Sequence, residues 1–173
     1  LTSDSWRTTK AFAPAAGMTQ MGIHLKDLPI AFYGSVTTLH AFTADRSLGW
    51  ETGDVVTVQL QFEAGMTATL HAILHTPHFI RTHVFGSDMW VEIRNSTHPD
   101  TPGGKAAMKR YHSIEDVEIE LFDWTDIVVA NLEAFGAAIR TEKPYPYSDF
   151  ELLHDIEVLD AIILSAETGE ATH

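Results

Sequence analysis

The sequence predicts an α+β fold, a largely antiparallel open β-sheet with helices packed on one face. Two-residue alternation of apolar and polar side chains runs through the middle of the chain, while both ends carry the 3.6-residue periodicity of amphipathic helices. Strands whose apolar residues alternate with Thr, Gln and His have one face for a core and one for water. That is the pattern of an antiparallel sheet covered from one side.

Residues 1–16 show no periodicity and include Pro14, so they read as an irregular lead-in packing Trp6 and Phe12. A first helix follows from about Thr19 to Tyr33. Along it Gln20, His24 and Asp27 stack at i, i+4 and i+7, and Met21, Leu25, Leu28 and Phe32 form the neighbouring apolar stripe. Gly22 costs about 1 kcal/mol relative to Ala inside a helix, so something must approach the backbone closely there. Pro29 removes the hydrogen bond to the Leu25 carbonyl and predicts a kink or a loosened last turn.

Val36 to Thr43 is the first expected strand, and Asp54–Glu63 with Thr67–Thr76 form a hairpin. Val56, Val58, Leu60 and Phe62 share a face with Ala68, Leu70, Ala72 and Leu74 only if the loop is odd, because a one-residue slip turns a strand over. Ala64-Gly65-Met66 is therefore expected as a three-residue loop with Gly65 at positive φ. The opposite face displays Thr57, Gln59, Gln61, Thr69, His71 and His75. Phe79–Phe85 and Met89–Arg94 form a second hairpin around Gly86-Ser87-Asp88. Residues 95–109, rich in Pro, Gly and polar groups, read as a long loop. Arg110–His112 and Val117–Phe122 are short strands.

Two helices close the chain. Asp123 or Thr125 caps the first, with Val128, Leu132, Phe135 and Ile139 as its buried stripe and Pro144 beyond its end. Ser148-Asp-Phe-Glu151 is a capping box opening the second, whose stripe is Leu152, Ile156, Leu159 and Ile163, with Gly169 as its stop.

Composition excludes several function classes. At 173 residues the chain is one domain's worth and buries a core without staples. Cysteine is absent, which removes disulfides, thiolate metal sites and thiol nucleophiles. With 24 acidic against 11 basic residues the formal charge is -13, so neither nucleic acid nor an anionic membrane is an expected partner. No apolar run approaches the ~20 residues of a membrane span. A chain that begins at Leu1, without an initiator Met, reads as a fragment or processed product.

Ten histidines raise the question of a metal. His71 and His75 have zinc-binding spacing for a helix, but on a strand four residues span about 13 Å and cannot hold one ion. No metal site is expected. Gly103-Gly104-Lys105 lacks the first Gly, the preceding strand and the following Ser or Thr of a phosphate loop. No Gly-x-Gly-x-x-Gly occurs, so no cofactor-binding residue can be named in this chain.

Gly17-(x)4-Gly22-x-His24-x-x-Asp27 opening a helix, the β-hairpins after it, and two closing helices ending Ala161-Ile-Ile-Leu-Ser-Ala-Glu-Thr-Gly169 resemble the C-terminal domain of the Gfo/Idh/MocA family of NAD(P)-dependent oxidoreductases. The likeness covers nearly the whole chain. In that family a lysine of the nucleotide-binding domain works with an Asp and a His four residues apart on the first helix of the C-terminal domain. The resemblance puts the His at His24, as catalytic residue, and the Asp at Gln20, which cannot ionise and would orient substrate through its amide. Asp27 is a second substrate-binding candidate or a structural partner of a neighbouring loop. Glu142-Lys143-Pro144 repeats the letters of the family's lysine motif but ends a C-terminal helix, where Lys143 is a terminal cation and Pro144 a stop.

The resemblance implies that residues 1–173 are a substrate-binding and oligomerisation domain, and that the N-terminal nucleotide-binding domain is absent from this chain. NAD or NADP would serve the parent enzyme and none would bind here, leaving the isolated chain inactive. A sugar, polyol or related small molecule is the expected substrate, the cytoplasm the expected location, and a homodimer or higher homo-oligomer through the polar sheet face the expected assembly. A free-standing, non-redox binding or assembly module is the rival reading, followed by a lyase or isomerase using His24 as base.

Overall fold

A computed structural model describes residues 5–173; residues 1–4 lie outside the described residues. In chain order a 3-10 turn (Trp6–Thr8) and a π-helical turn (Met18–Gly22) lead into α1 (Ile23–Tyr33). Then come β1 (Val36–Ala44), β2 (Val55–Phe62), β3 (Thr67–Ile73), β4 (Arg81–Phe85), β5 (Trp90–Asn95), β6 (Lys105–Tyr111) and β7 (Val117–Asp123). Helices α2 (Ile127–Ile139) and α3 (Asp149–Thr168) follow. The α+β class and the antiparallel pairing are as the sequence predicts, with the strands in sheets ordered β1-β2-β3 and β4-β5-β6-β7. The chain divides into two units, one of residues up to His75 together with Tyr147–His173, the other Thr76–Pro146.

In the first unit β2 is the central strand, and its alternation decides the packing. Val56, Val58, Leu60 and Phe62 are buried with Leu39, Ala41, Leu70 and Ala72, and Met18, Ile30, Val158 and Ile162 close over them from the helices. Thr57, Gln59 and Gln61 point the other way and pair with His71, Thr69 and Thr67. The β2–β3 connection has the expected odd length, but it is Glu63-Ala64-Gly65. Phe62 N–H donates to Met66 O at 2.9 Å, and Gly65 takes φ +89°. The register moves by two relative to a 64–66 loop, which leaves every side chain on its expected face.

The helices present different stripes from those the sequence suggests. Along the first helix Met18, Gly22, Lys26 and Ile30 are buried, while Met21 and Phe32 are exposed. The π turn breaks the 3.6-residue period on which the expected stripe was drawn, and a lysine hides the true one. The helix runs on through Pro29 to Tyr33. In α3 the buried set is Val158, Ile162 and Ser165, with Leu159 and Ile163 only flanking it and Leu152 and Ile156 exposed. Trp6 and Phe12 are also exposed, and the lead-in instead buries Thr8, Ala13, Ala15 and Ala16.

The outer edge of β1 is closed by the chain's own end. Leu39 and Thr172 exchange backbone hydrogen bonds of 3.0 and 2.9 Å, and buried Ser165 Oγ accepts the Ala41 N–H at 2.9 Å. The Ser148–Glu151 capping box and the left-handed Gly169 bound α3 as expected.

In the second unit the Gly86-Ser87-Asp88 turn closes the β4–β5 hairpin, with Gly86 N–H donating to Met89 O at 2.9 Å. β6 begins at Lys105, so the loop spans 96–104 and not 95–109. Its residues 106–111 pair with both β5 and β7, a partnership that a short Ala-Ala-Met run does not advertise. Trp90 stacks on Tyr111 at 3.7 Å. Asp126, one residue past Thr125 and three past Asp123, is the cap in place of either and accepts the Val128 and Val129 N–H groups. Contrary to expectation, Val128, Leu132, Phe135 and Ile139 are exposed. The stripe has the pattern of a face suited to burial.

Candidate functional site

The helix bearing the polar stripe is held against β3 through glycines. A Cβ on Gly17 would meet Ala72 Cβ and Leu74 Cδ2, each at 3.2 Å, and one on Gly22 would meet Met18 Sδ at 2.7 Å. The close approach that Gly22 signals is therefore to the protein's own core. A π turn opens this helix, and it carries Gln20 on its third residue.

Gln20, His24 and Asp27 have three different environments. Gln20 Nε2 donates to the Arg7 carbonyl at 2.7 Å, which ties the 3-10 turn to the helix and leaves Oε1 as the atom able to accept from a ligand. His24 stands out of the helix with its side chain 82% exposed. Asp27 is half-buried, with Oδ2 4.0 Å from His24 Nδ1 and Oδ1 3.0 Å from Lys26 Nζ. The His24–Asp27 distance suits an ion pair once the imidazole is protonated and is too long for a hydrogen bond.

Lys26 and Asp155 complete the cluster, and neither is evident from the sequence. Lys26 is wholly buried, and its Nζ lies 2.7 Å from Asp155 Oδ1 on α3. Asp155 Oδ1 is itself buried, with that ammonium as its ion partner. Burial, and then the neighbouring Asp155, push the Asp27 carboxyl above its ordinary value, against the pull of Lys26. The spacing 18, 22, 26, 30 is the signal that could have found Lys26, since three of those positions are small or apolar.

Chemically the stripe offers an exposed imidazole able to exchange a proton, an amide acceptor and a carboxyl held from behind. At the start of α2 the Asp126 carboxylate accepts the Val128 and Val129 N–H groups, and at the start of α3 the Ser148 hydroxyl accepts the Glu151 N–H while the Glu151 carboxylate accepts that of Ser148. A groove of about 450 Å³ lies on the four-stranded sheet, lined by Phe79, Glu92, Arg94, Lys105, Lys109 and Leu121 among others; none of residues 20, 24 and 27 lines it. Among the described residues no helix is long and apolar enough to cross a membrane.

Comparison with known proteins gives the following. A model described as the GFO/IDH/MocA C-terminal domain matches residues 2–92. A D-xylose 1-dehydrogenase (NADP(+)) of Haloferax volcanii is 30% identical over 141 residues, 81% of this chain and 42% of that protein. The aldose-aldose oxidoreductase of Caulobacter crescentus, solved with glycerol, superposes with a TM-score of 0.80 at 21% identity, covering 99% of this chain and 51% of that one. The WlbA dehydrogenase of Bordetella pertussis, solved with NADH and UDP-GlcNAcA, gives 0.63 at 16% identity, covering 96% and 47%. The chain thus spans about half the length, or less, of these relatives.

Proposed function

The chain belongs to the Gfo/Idh/MocA family, and we propose that it is the substrate-facing and self-associating part of an NAD(P)-dependent oxidoreductase acting on a sugar, polyol or related hydroxy compound. The single observation that carries the reading is His24, an exposed imidazole on a helix fastened from behind by Lys26 and Asp155. The sugar chemistry named for the relatives supports the substrate class.

The nicotinamide, held by a domain outside this chain, would supply the hydride acceptor or donor. Within the chain, His24 takes or returns the proton at the reacting hydroxyl oxygen. Gln20 Oε1 accepts from a neighbouring hydroxyl, and Asp27 holds its carboxyl toward His24 Nδ1, so that Nε2 faces the substrate. The polar sheet face of Thr57, Gln59, Thr69 and His71 is the self-association surface, since the helices of this unit occupy the other face.

Steady-state kinetics of the full-length protein test the reading. His24→Ala should lower kcat by about 10²- to 10⁴-fold with a smaller change in KM, and Gln20→Ala should act mainly on KM. Near-normal turnover in His24→Ala, with the chemical step rate-limiting, would return His24 to a structural role.

A further inference from the structure

We propose that Lys26 and Asp155 are positioning residues for the site, acting on His24 through Asp27. A lysine with no exposed surface in a core of Met, Ile and Val is costly unless its charge is paired. Here it is paired twice, once within α1 and once across to α3, at 3.0 Å from Asp27 Oδ1 and 2.7 Å from Asp155 Oδ1. A bond to Asp155 alone would neutralise the lysine. The second contact does something further: it takes one oxygen of Asp27 and turns the other toward His24.

The chain of contacts runs from α3 to solvent. Asp155 anchors the ammonium, the ammonium fixes Asp27 Oδ1, and Asp27 Oδ2 lies 4.0 Å from His24 Nδ1. Asp27 Oδ1 and Asp155 Oδ1 meet the same ammonium, at 3.0 and 2.7 Å, so two carboxyl groups compete for one cation. Lys26, Asp155 and His24 are thus the charged or titratable groups facing Asp27 from α1 and α3. Removing the Asp155 charge leaves Lys26 wholly to Asp27, which draws that carboxylate inward and weakens the field it offers a protonated imidazole. A residue remote from substrate thereby sets the protonation of one that meets it.

The functional meaning of this inference rests on the reading of His24 as the acid–base group, but its test does not need turnover. Proton NMR titration of the His24 ring, in this chain, is compared for wild type, Asp155→Asn, Asp27→Asn and the double variant. Asp155→Asn should lower the His24 midpoint by about 0.3 pH units or more, and Asp155→Glu should restore it in part. In the Asp27→Asn background the same Asp155 change should move it by less than about 0.1, because the intermediary is gone. An unmoved midpoint in Asp155→Asn overturns the proposal. So does an equal shift in both backgrounds, which would mean a direct field from Asp155. Should Asp155→Asn fail to fold, Lys26→Arg keeps the charge while relocating the donors, and the same dependence on Asp27 is required of it. Kinetics of His24→Ala decide the catalytic reading separately.

Discussion

Gly22 and Ala72 stand so close that a β-carbon on the glycine would come 3.3 Å from the Ala72 Cβ, besides striking buried Met18 Sδ at 2.7 Å. The π turn is seated on β3 by this contact, and with it Gln20. Gly22→Val should therefore cost about 2 to 3 kcal/mol through overpacking, more than any gain from replacing a helical glycine. Thermal denaturation with far-ultraviolet circular dichroism measures it; a melting temperature at or above that of the parent would show that the turn can lift away.

Lys26→Met should destabilise the domain by about 3 to 5 kcal/mol near neutral pH, because Asp27 and Asp155 lose their shared cation. The loss should shrink in acid. Asp27 is already held above its ordinary value in the fold, so its proton favours the folded state: that term is present at low pH and is lost as pH rises through the folded value. Urea titrations at pH 4 and pH 7 check the sign, and a Lys26→Met deficit that grew on acidification would refute it.

Asp54 has the opposite sign. Although burial works against its charge, the N–H groups of Arg46, Ser47 and Leu48 converge on its carboxylate at 2.7 to 3.0 Å and hold it below the ordinary 3.8. Its stabilisation is present above that ordinary value and is lost as pH falls through the lowered one. Asp54→Asn should cost on the order of 2 kcal/mol at pH 7 and flatten the acid limb of the stability profile. An unchanged acid limb would assign that limb to other carboxyls.

Ser165→Ala should cost about 1 to 3 kcal/mol, since it strands the buried Ala41 N–H at the edge of β1. Amide hydrogen exchange gives a local reading: Ala41 should lose protection by more than residues of β2, and equal loss throughout would mean that the contact is not local.

If the polar sheet face mediates self-association, Thr69→Glu with His71→Glu should dissociate the assembly without unfolding it, because both residues are exposed on β3. Sedimentation velocity at micromolar concentration resolves this. A wild-type chain that sediments as a monomer would remove the oligomer reading.

The features legible in the sequence share one property, which is that they depend on local chemistry. The Ser148–Glu151 box and Gly169 bound α3 wherever that helix packs, and the parity of the β2–β3 loop follows from alternation within the two strands. His24 could be placed on a polar stripe, and it is exposed there. What could not be read depends on tertiary partners. Lys26 is interior only because Asp155, 129 positions away in the sequence, meets it, and a lysine is otherwise read as surface. The stripe of α2 has the pattern of a buried face yet lies open, since periodicity reports a capacity to pack and not the neighbour that does so.

The π turn at Met18–Gly22 gives the helix a place where one residue can be lost at little structural expense. Deleting a residue there would restore ordinary α-helical bonding. The wide turn would close over one residue fewer, so the lead-in before it and His24, Lys26 and Asp27 after it would keep their places while the residues of the turn moved one position along the helix. The side chain standing one turn before the histidine is thus set by chain length as much as by residue type. Homologous chains that differ here by a single deletion would present a different functional group beside the same imidazole, with no substitution at either position.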